Sequence, residues 1–256
     1  MCSHKDDAHN QKIVEQFSKQ AIPFSKIPGH QDSMQLLIQM SGVGPLDKVL
    51  DVACGPGLVA CEFAKVADHV TGIDITAKMI ERAQKLQSEK NLANLDWSVH
   101  DIAPLPYSDH AFSVVLTRYS FHHFLKPADV LGEMIRVCKP GGRVLVADVA
   151  LPPEKVAAYD HLEKLRDPSH TQALTLSGFE KLFAGSGLTD IQKGSYKVEL
   201  ELEQQLKASF PEPGDEEKVR AILRADVNEN RVGVEACLKG SEIHYSVPIA
   251  VFVGTK

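Results

Sequence analysis

The stretch Lys48-Val49-Leu50-Asp51-Val52-Ala53-Cys54-Gly55-Pro56-Gly57 governs how the rest of the chain is read. Val49, Leu50, Val52 and Ala53 form the short apolar run of a buried parallel strand, and glycines end it. Gly55 and Gly57 let backbone approach a ligand where a Cβ would block it. A helix over 58–67 then presents unpaired N–H groups. Gly55-Pro56-Gly57-Leu58-Val59-Ala60 satisfies the G-x-G-x-x-G/A nucleotide pattern, and Asp74 follows at the spacing of a ribose-binding acid. That pattern alone serves any adenosine-bearing ligand.

Outward from it, strands are expected over 68–75, 95–99, 112–117 and 143–150. Helices lie between them over 76–90, with Ile80, Ala83 and Leu86 on one face, and over 126–138, opened by Pro127 and stopped by Lys139-Pro140-Gly141-Gly142. Strands each followed by a helix or a loop, in connections too short for separate domains, build a doubly wound α/β sheet, whose ligands bind beyond the carboxyl ends of the strands. Later come a helix over 152–165, a helix opened by Ser177 and Glu180 as a capping box, a strand over 190–200 and a charged helical stretch over 202–228. A last strand over 243–253 contains Pro248, which implies a bulge or a later start. Before the glycines, Met1 to Gln11 reads as a flexible start, Ile13 to Ala21 as a helix, Ile22 to His30 as an irregular connection and 32–40 as a second helix. The expected division is a flexible 1–11 and one domain over 12–256, with a helical lid over 12–40 and helical insertions over 151–180 and 201–231.

The chain has 256 residues, 43% hydrophobic content and a formal net charge of -6. That balance, with no Lys/Arg-rich run, argues against nucleic-acid capture, and no apolar run has the length for membrane insertion. Five unclustered cysteines point to reduced core thiols, no metal site and a cytoplasmic protein.

Three neighbours of the glycine turn separate the users of adenosine. Asp51 lies inside the strand, where it repels a pyrophosphate and welcomes a cationic or zwitterionic ligand. Asp101-Ile102 offers a carboxylate for an adenine amino group beside an apolar side chain for the ring. Pro140-Gly141-Gly142 is a turn that a nicotinamide dehydrogenase does not require. Together, Leu50 to Gly57, Gly72-Ile73-Asp74, Asp101 to Pro106 and Val137 to Gly142 resemble, in order and spacing, the motifs of class I S-adenosylmethionine-dependent methyltransferases. The ubiquinone/menaquinone-biosynthesis type is the nearest likeness, in a small-molecule branch carrying Arg118 to Phe124 and Arg166 to His170.

The resemblance implies a Rossmann-like seven-stranded sheet with an antiparallel last strand, S-adenosylmethionine as methyl donor and S-adenosylhomocysteine as product. It puts Asp51, Ala53, Gly55, Gly57 and Arg118 at the donor's amino-acid end, and Asp74 on the ribose hydroxyls. Ile75 and Met79 would cover the adenine, Asp101 and Ile102 would read its edge, and Phe24 would belong to a closing segment that also holds Lys19 and Gln20. His122 and His123, at the end of the fourth strand, are the candidate catalytic bases, since a histidine pKa suits proton removal near neutrality. Tyr119, Tyr159, Arg166 and His170 are the candidate acceptor contacts, Tyr107, Phe121 and Phe124 candidate pocket walls, and Lys139 and Arg143 solvated. The expected partner is a small organic methyl acceptor, quinone-like, phenolic or polyketide-like, bound by a monomer or homodimer. The rivals are a methyltransferase fold that uses the donor non-catalytically or for cyclisation, a nicotinamide-dependent dehydrogenase, and RNA methylation.

Overall fold

The computed structural model describes residues 4–24 and 33–256. Four parallel strands form its centre: β1 (Lys48–Val52), β2 (His69–Asp74), β4 (Phe112–Arg118) and β5 (Cys138–Leu151), with β3 (Leu95–Val99) at one edge. The order is β3-β2-β1-β4-β5-β9-β7, in which β9 (Glu242–Thr255) runs antiparallel to both β5 and β7 (Thr189–Glu201). Two short strands hang off this path, β6 (Leu174–Thr175) on β5 and β8 (Cys237–Lys239) on β9. The sheet is therefore the expected Rossmann-like one with an antiparallel last strand. Its chain order reverses between β1 and β4, and a crevice opens at such a switch point.

Alternation in β1 explains the two layers. Val49 packs in the cluster that includes α3 (Leu58–Phe63), whereas Leu50 and Val52 face α5 (Pro127–Val137) and α7 (Leu176–Ala184). Asp51 shares the face of Val49 and is 1% exposed. β4 is buried along its whole length, as a central parallel strand should be.

Several boundaries depart from the sequence reading for identifiable reasons. Lys139 to Gly142 is no turn before a strand but a bulge inside β5. Phe112 pairs with Cys138 and Val114 with Arg143, while the Gly141 N–H is held by Lys256 O at 2.8 Å. Arg143 is not solvated: it donates to Gly42 O at 2.6 Å and to Asp47 at 3.1 Å. The cap of α7 is Thr175, whose hydroxyl accepts from Gly178 N at 2.9 Å; Ser177 lies inside the helix and Glu180 pairs with Lys193. The 202–228 stretch divides into α8 (Leu202–Ser209) and α9 (Asp215–Asp226). Pro248 sits in an unbroken β9 opposite Lys197, because pairing with β5 stops at Ile249. Only alternate residues bond to a given antiparallel neighbour, so a missing N–H is tolerated where one neighbour has ended.

The first helix, α1 (His4–Phe24), runs back through the polar stretch read as flexible. Asp6 and Asp7 stand in its first turn, where the helix dipole favours acids. Its polar residues find partners far along the chain. Lys126 donates to Asp6 at 2.9 Å, His9 donates to His123 O at 2.7 Å and Asn10 donates to Asp101 at 2.8 Å. The Phe24 side chain and the connection over 25–32 lie outside the described residues. α2 (Met34–Ser41) leads into β1, α4 (Ala77–Glu89) follows β2, and α6 (Pro153–Arg166) follows β5.

Candidate functional site

A cavity of about 410 Å³ opens at the carboxyl ends of β1, β2 and β4, within the size range of small-molecule sites. Asp51, Ala53, Cys54 and Gly55 form its floor, Asp74, Ile75 and Met79 one side, Asp101 and Ile102 one end, and Arg118, Tyr119 and Ser120 the opposite side. Helix α1 roofs it with Asp6, His9, Asn10, Ile13 and Phe17. Ala53 and Tyr119, which leave β1 and β4, both adopt the left-handed conformation, at φ 54° and 58°. For a residue with a Cβ this costs about 1–2 kcal/mol, and such strain concentrates where a ligand is held.

The two glycines have different duties. A Cβ on Gly55, at φ 52°, would meet nothing within 4 Å, so this residue leaves the floor open. A Cβ on Gly57, at φ 79°, would lie 2.7 Å from the Trp97 ring and 2.8 Å from the Ala83 Cβ. Gly57 thus lets α3 pack against α4, and it does not line the cavity.

Asp74 binds the glycine turn. One of its oxygens accepts from Gly55 N at 2.9 Å and the other from Thr76 N at 2.8 Å, and burial still raises its pKa. Each oxygen keeps a further lone pair for a ligand hydroxyl. Asp101 accepts from Ile102 N at 2.6 Å and from Asn10 at 2.8 Å. Asp51 is different: its Oδ2 is buried without a hydrogen-bond partner. Burial pushes its pKa up to about 7, against the pull of the Arg118 guanidinium and the Ala60 N–H, and the nearby Asp74 charge adds to the rise. A carboxylate in that state suits a ligand carrying an ammonium group, and the cation beside it suits a carboxylate on the same ligand. The guanidinium of Arg118 also lies over the Tyr119 ring, 4.5 Å from its centre.

A second chamber of about 80 Å³ lies behind the first, and Phe17, Tyr119 and His123 border both. The structure separates the adjacent histidines here. His122 Nδ1 is 2.7 Å from Asp148 Oδ1, and Asp148 is fixed further by the N–H groups of Phe121 and Val149, each at 2.7 Å. Burial alone would lower the His122 pKa, but the Asp148 charge and hydrogen bond outweigh it and hold the imidazole above its ordinary value. Asp148 is held low by His122 and the two backbone donors in spite of its burial. His123 donates from Nδ1 to Ser169 O at 3.1 Å; burial and the His122 charge both push its pKa down.

Tyr159 and Arg166 face this chamber, with Arg166 paired to Glu163 and bonded to Ser209 Oγ at 2.9 Å. His170 lines neither space: its Nε2 is pinned to Asp160 at 2.7 Å, and burial lowers its pKa. Phe124 lines the larger cavity, whereas Tyr107 packs edge-on against Phe112 and Phe121 is buried core. Sequence reasoning passed over Asp148, Glu163, Gln205 and Tyr245. A lone acid in the apolar run Val144 to Val149 was the available signal for Asp148, of the same kind as Asp51. Among the described residues no group of three or more His, Cys, Asp or Glu side chains is placed to hold a metal ion, and no helix is long and apolar enough to cross a membrane.

The strand order and the acid-lined cavity at its switch point match the expectation of an S-adenosylmethionine-dependent methyltransferase. Comparison with known proteins gives the family: the chain belongs to the one described as methyltransferase domain, which matches residues 45–207. It is 28% identical over 240 residues to the uncharacterized methyltransferase YcgJ of Bacillus subtilis, covering 87% of this chain and 94% of that one. The crystal structure of YcgJ superposes with a TM-score of 0.79, at 26% identity and 88% and 97% coverage. The ubiquinone/menaquinone biosynthesis C-methyltransferase UbiE of a Ruegeria species is 35% identical over 126 residues, about half of each chain (48% and 48%). A 4+2 cyclase, SpnF, shares the fold with a TM-score of 0.63 at 19% identity, over 88% of this chain and 81% of that one. The chain is accordingly an enzyme whose methyl donor is S-adenosylmethionine and whose acceptor is a small molecule.

Proposed function

We propose that the acceptor is a small neutral organic molecule with an ionisable hydroxyl, phenolic, quinone-like or polyketide-like, and that His122 takes its proton. The observation that carries this reading is the buried His122–Asp148 dyad on the wall of the second chamber. S-adenosylmethionine supplies a methyl group already activated on a sulfonium. What remains for the protein is to position the acceptor, exclude water and hold the released proton. Asp148 fixes Nδ1 of His122, which leaves Nε2 for the acceptor hydroxyl. His123, whose Nδ1 is bound to a backbone carbonyl, shapes the passage between the two spaces.

In the larger cavity Asp74 would accept from the ribose hydroxyls and Asp101 with Ile102 would meet the adenine edge, with Ile75 and Met79 against its ring. The unpartnered oxygen of Asp51 would take the donor's ammonium and Arg118 its carboxylate, above Ala53 and Gly55. This placement is supported by each of these residues lining one continuous cavity. The test is S-adenosylhomocysteine formation across a panel of phenols, enols and quinols. His122→Ala should lower kcat about 100-fold or more with donor affinity unchanged, the usual effect of removing a general base. Full turnover by His122→Ala would overturn the assignment.

A further inference from the structure

The second chamber carries more chemical information than a base. The cations of its walls are matched within the protein: Arg166 pairs with Glu163 and His122 with Asp148, while Asp167 accepts from the neutral donors of Ser169 and Gln20. A ligand carboxylate entering here would lose its hydration and find no positive charge left over. Neutral polar groups, by contrast, are left over. The Oε1 of Gln205, on α8, is buried without a hydrogen-bond partner although the residue is only 6% exposed and lines the chamber. Tyr159 and Tyr245 are buried on the same walls, each with a phenolic hydroxyl. Burial and the Glu163 charge push both phenols well above their ordinary pKa, so they remain O–H donors.

Leaving such groups unsatisfied is costly, so their types describe what completes them. Two phenolic O–H groups call for an acceptor oxygen, and a carbonyl has two lone pairs. The amide oxygen of Gln205 calls for an O–H, and Nε2 of His122 accepts one once the imidazole has given up its proton. At about 80 Å³, with Val149, Val198, Leu200, Val247 and Ile249 as its apolar remainder, the chamber suits the polar end of an acceptor whose remainder extends past Phe17, Tyr119 and His123 toward the larger cavity.

We infer that the chamber recognises a neutral hydroxylated ketone, aryl or enolic, presenting its carbonyl to Tyr159 and Tyr245, one hydroxyl to Gln205 and another to His122. This rests on the methyl-transfer reading above and adds the functional groups that select the acceptor. Carboxylic acids are excluded by the same matched cations.

Calorimetric titration of the S-adenosylhomocysteine-loaded protein tests it with four probes: 2,4-dihydroxyacetophenone, acetophenone, benzoate and benzylamine. The dihydroxy ketone should bind about tenfold or more tighter than acetophenone, the scale set by one or two hydrogen bonds in a buried site. Gln205→Leu and Tyr245→Phe should each shrink that preference to about threefold or less, with S-adenosylhomocysteine affinity unchanged as the control for folding. Tighter binding of benzoate or benzylamine, no binding of any probe, or a preference indifferent to both substitutions would overturn the inference. Failure of the native protein to bind S-adenosylhomocysteine would instead overturn the reading of the larger cavity.

Discussion

Replacing Asp51 by Asn should make the protein more stable and worse at holding its donor. In the fold the Asp51 carboxyl rises from an ordinary 3.8 to about 7. At about 1.4 kcal/mol per pH unit, ionised Asp51 costs the native state about 4 kcal/mol at pH 8. An acid raised in the fold binds its proton more tightly there than in the unfolded chain. The penalty therefore grows as pH climbs from the unfolded value to the native one; it is complete above about 7 and falls below about 2 kcal/mol by pH 5. Asn keeps the shape without the charge, but its Nδ2 takes the place of an oxygen that has no partner, which returns about 1–2 kcal/mol. The net gain at pH 8 is about 2–3 kcal/mol, or roughly 5–10 °C in Tm for a chain of this size. Scanning calorimetry of native protein and variant at pH 8 and pH 5 reads it directly. Isothermal titration should show S-adenosylhomocysteine binding weakened about 10-fold to 100-fold at pH 8, the scale of a lost charged hydrogen bond. A Tm gain equal at both pH values, or no gain at pH 8, would refute the buried-charge reasoning; an unchanged affinity would refute the ammonium contact.

Other outcomes follow from the same geometry. Asp74→Ala should weaken donor binding by about 1.5–3 kcal/mol and loosen the turn at Gly55, seen in titration and in amide exchange of residues 53–57. The acid limb of the kcat–pH profile should lie above the ordinary histidine value, since His122 must be neutral to accept a proton and Asp148 raises its pKa. The dyad's share of stability should be complete below about 6.5 and fade as pH rises through the higher native value. Gly57→Ala should destabilise the fold by roughly 2 kcal/mol or more, from a positive φ and contact with Trp97 and Ala83, whereas Gly55→Ala should cost stability about 1 kcal/mol and act mainly on donor affinity. Denaturant melts and titrations of the two variants separate these effects.

The sheet was legible because its central strands are buried on both faces and so read as apolar runs, and because Asp51 interrupts one of them. What stayed hidden depends on partners distant in sequence. The polar start of α1 looks unable to bury anything until Lys126, the His123 carbonyl and Asp101 are brought beneath it. His122 and His123 are neighbours of one type, and only the fold shows that one meets Asp148 and the other the Ser169 carbonyl. Gly57 matched a ligand-binding pattern, but a helix-packing requirement selects the same residue. Ser177 and Glu180 had capping-box spacing two residues after the true cap, Thr175.

Phe17 stands in the walls of both spaces, on a helix whose Asn10 reaches one end of the larger cavity and whose Gln20 reaches into the smaller chamber. One helix thus borders both spaces. With donor and acceptor placed as proposed, an outward movement of α1 would uncover both, and release of S-adenosylhomocysteine and of the methylated product would share one opening step.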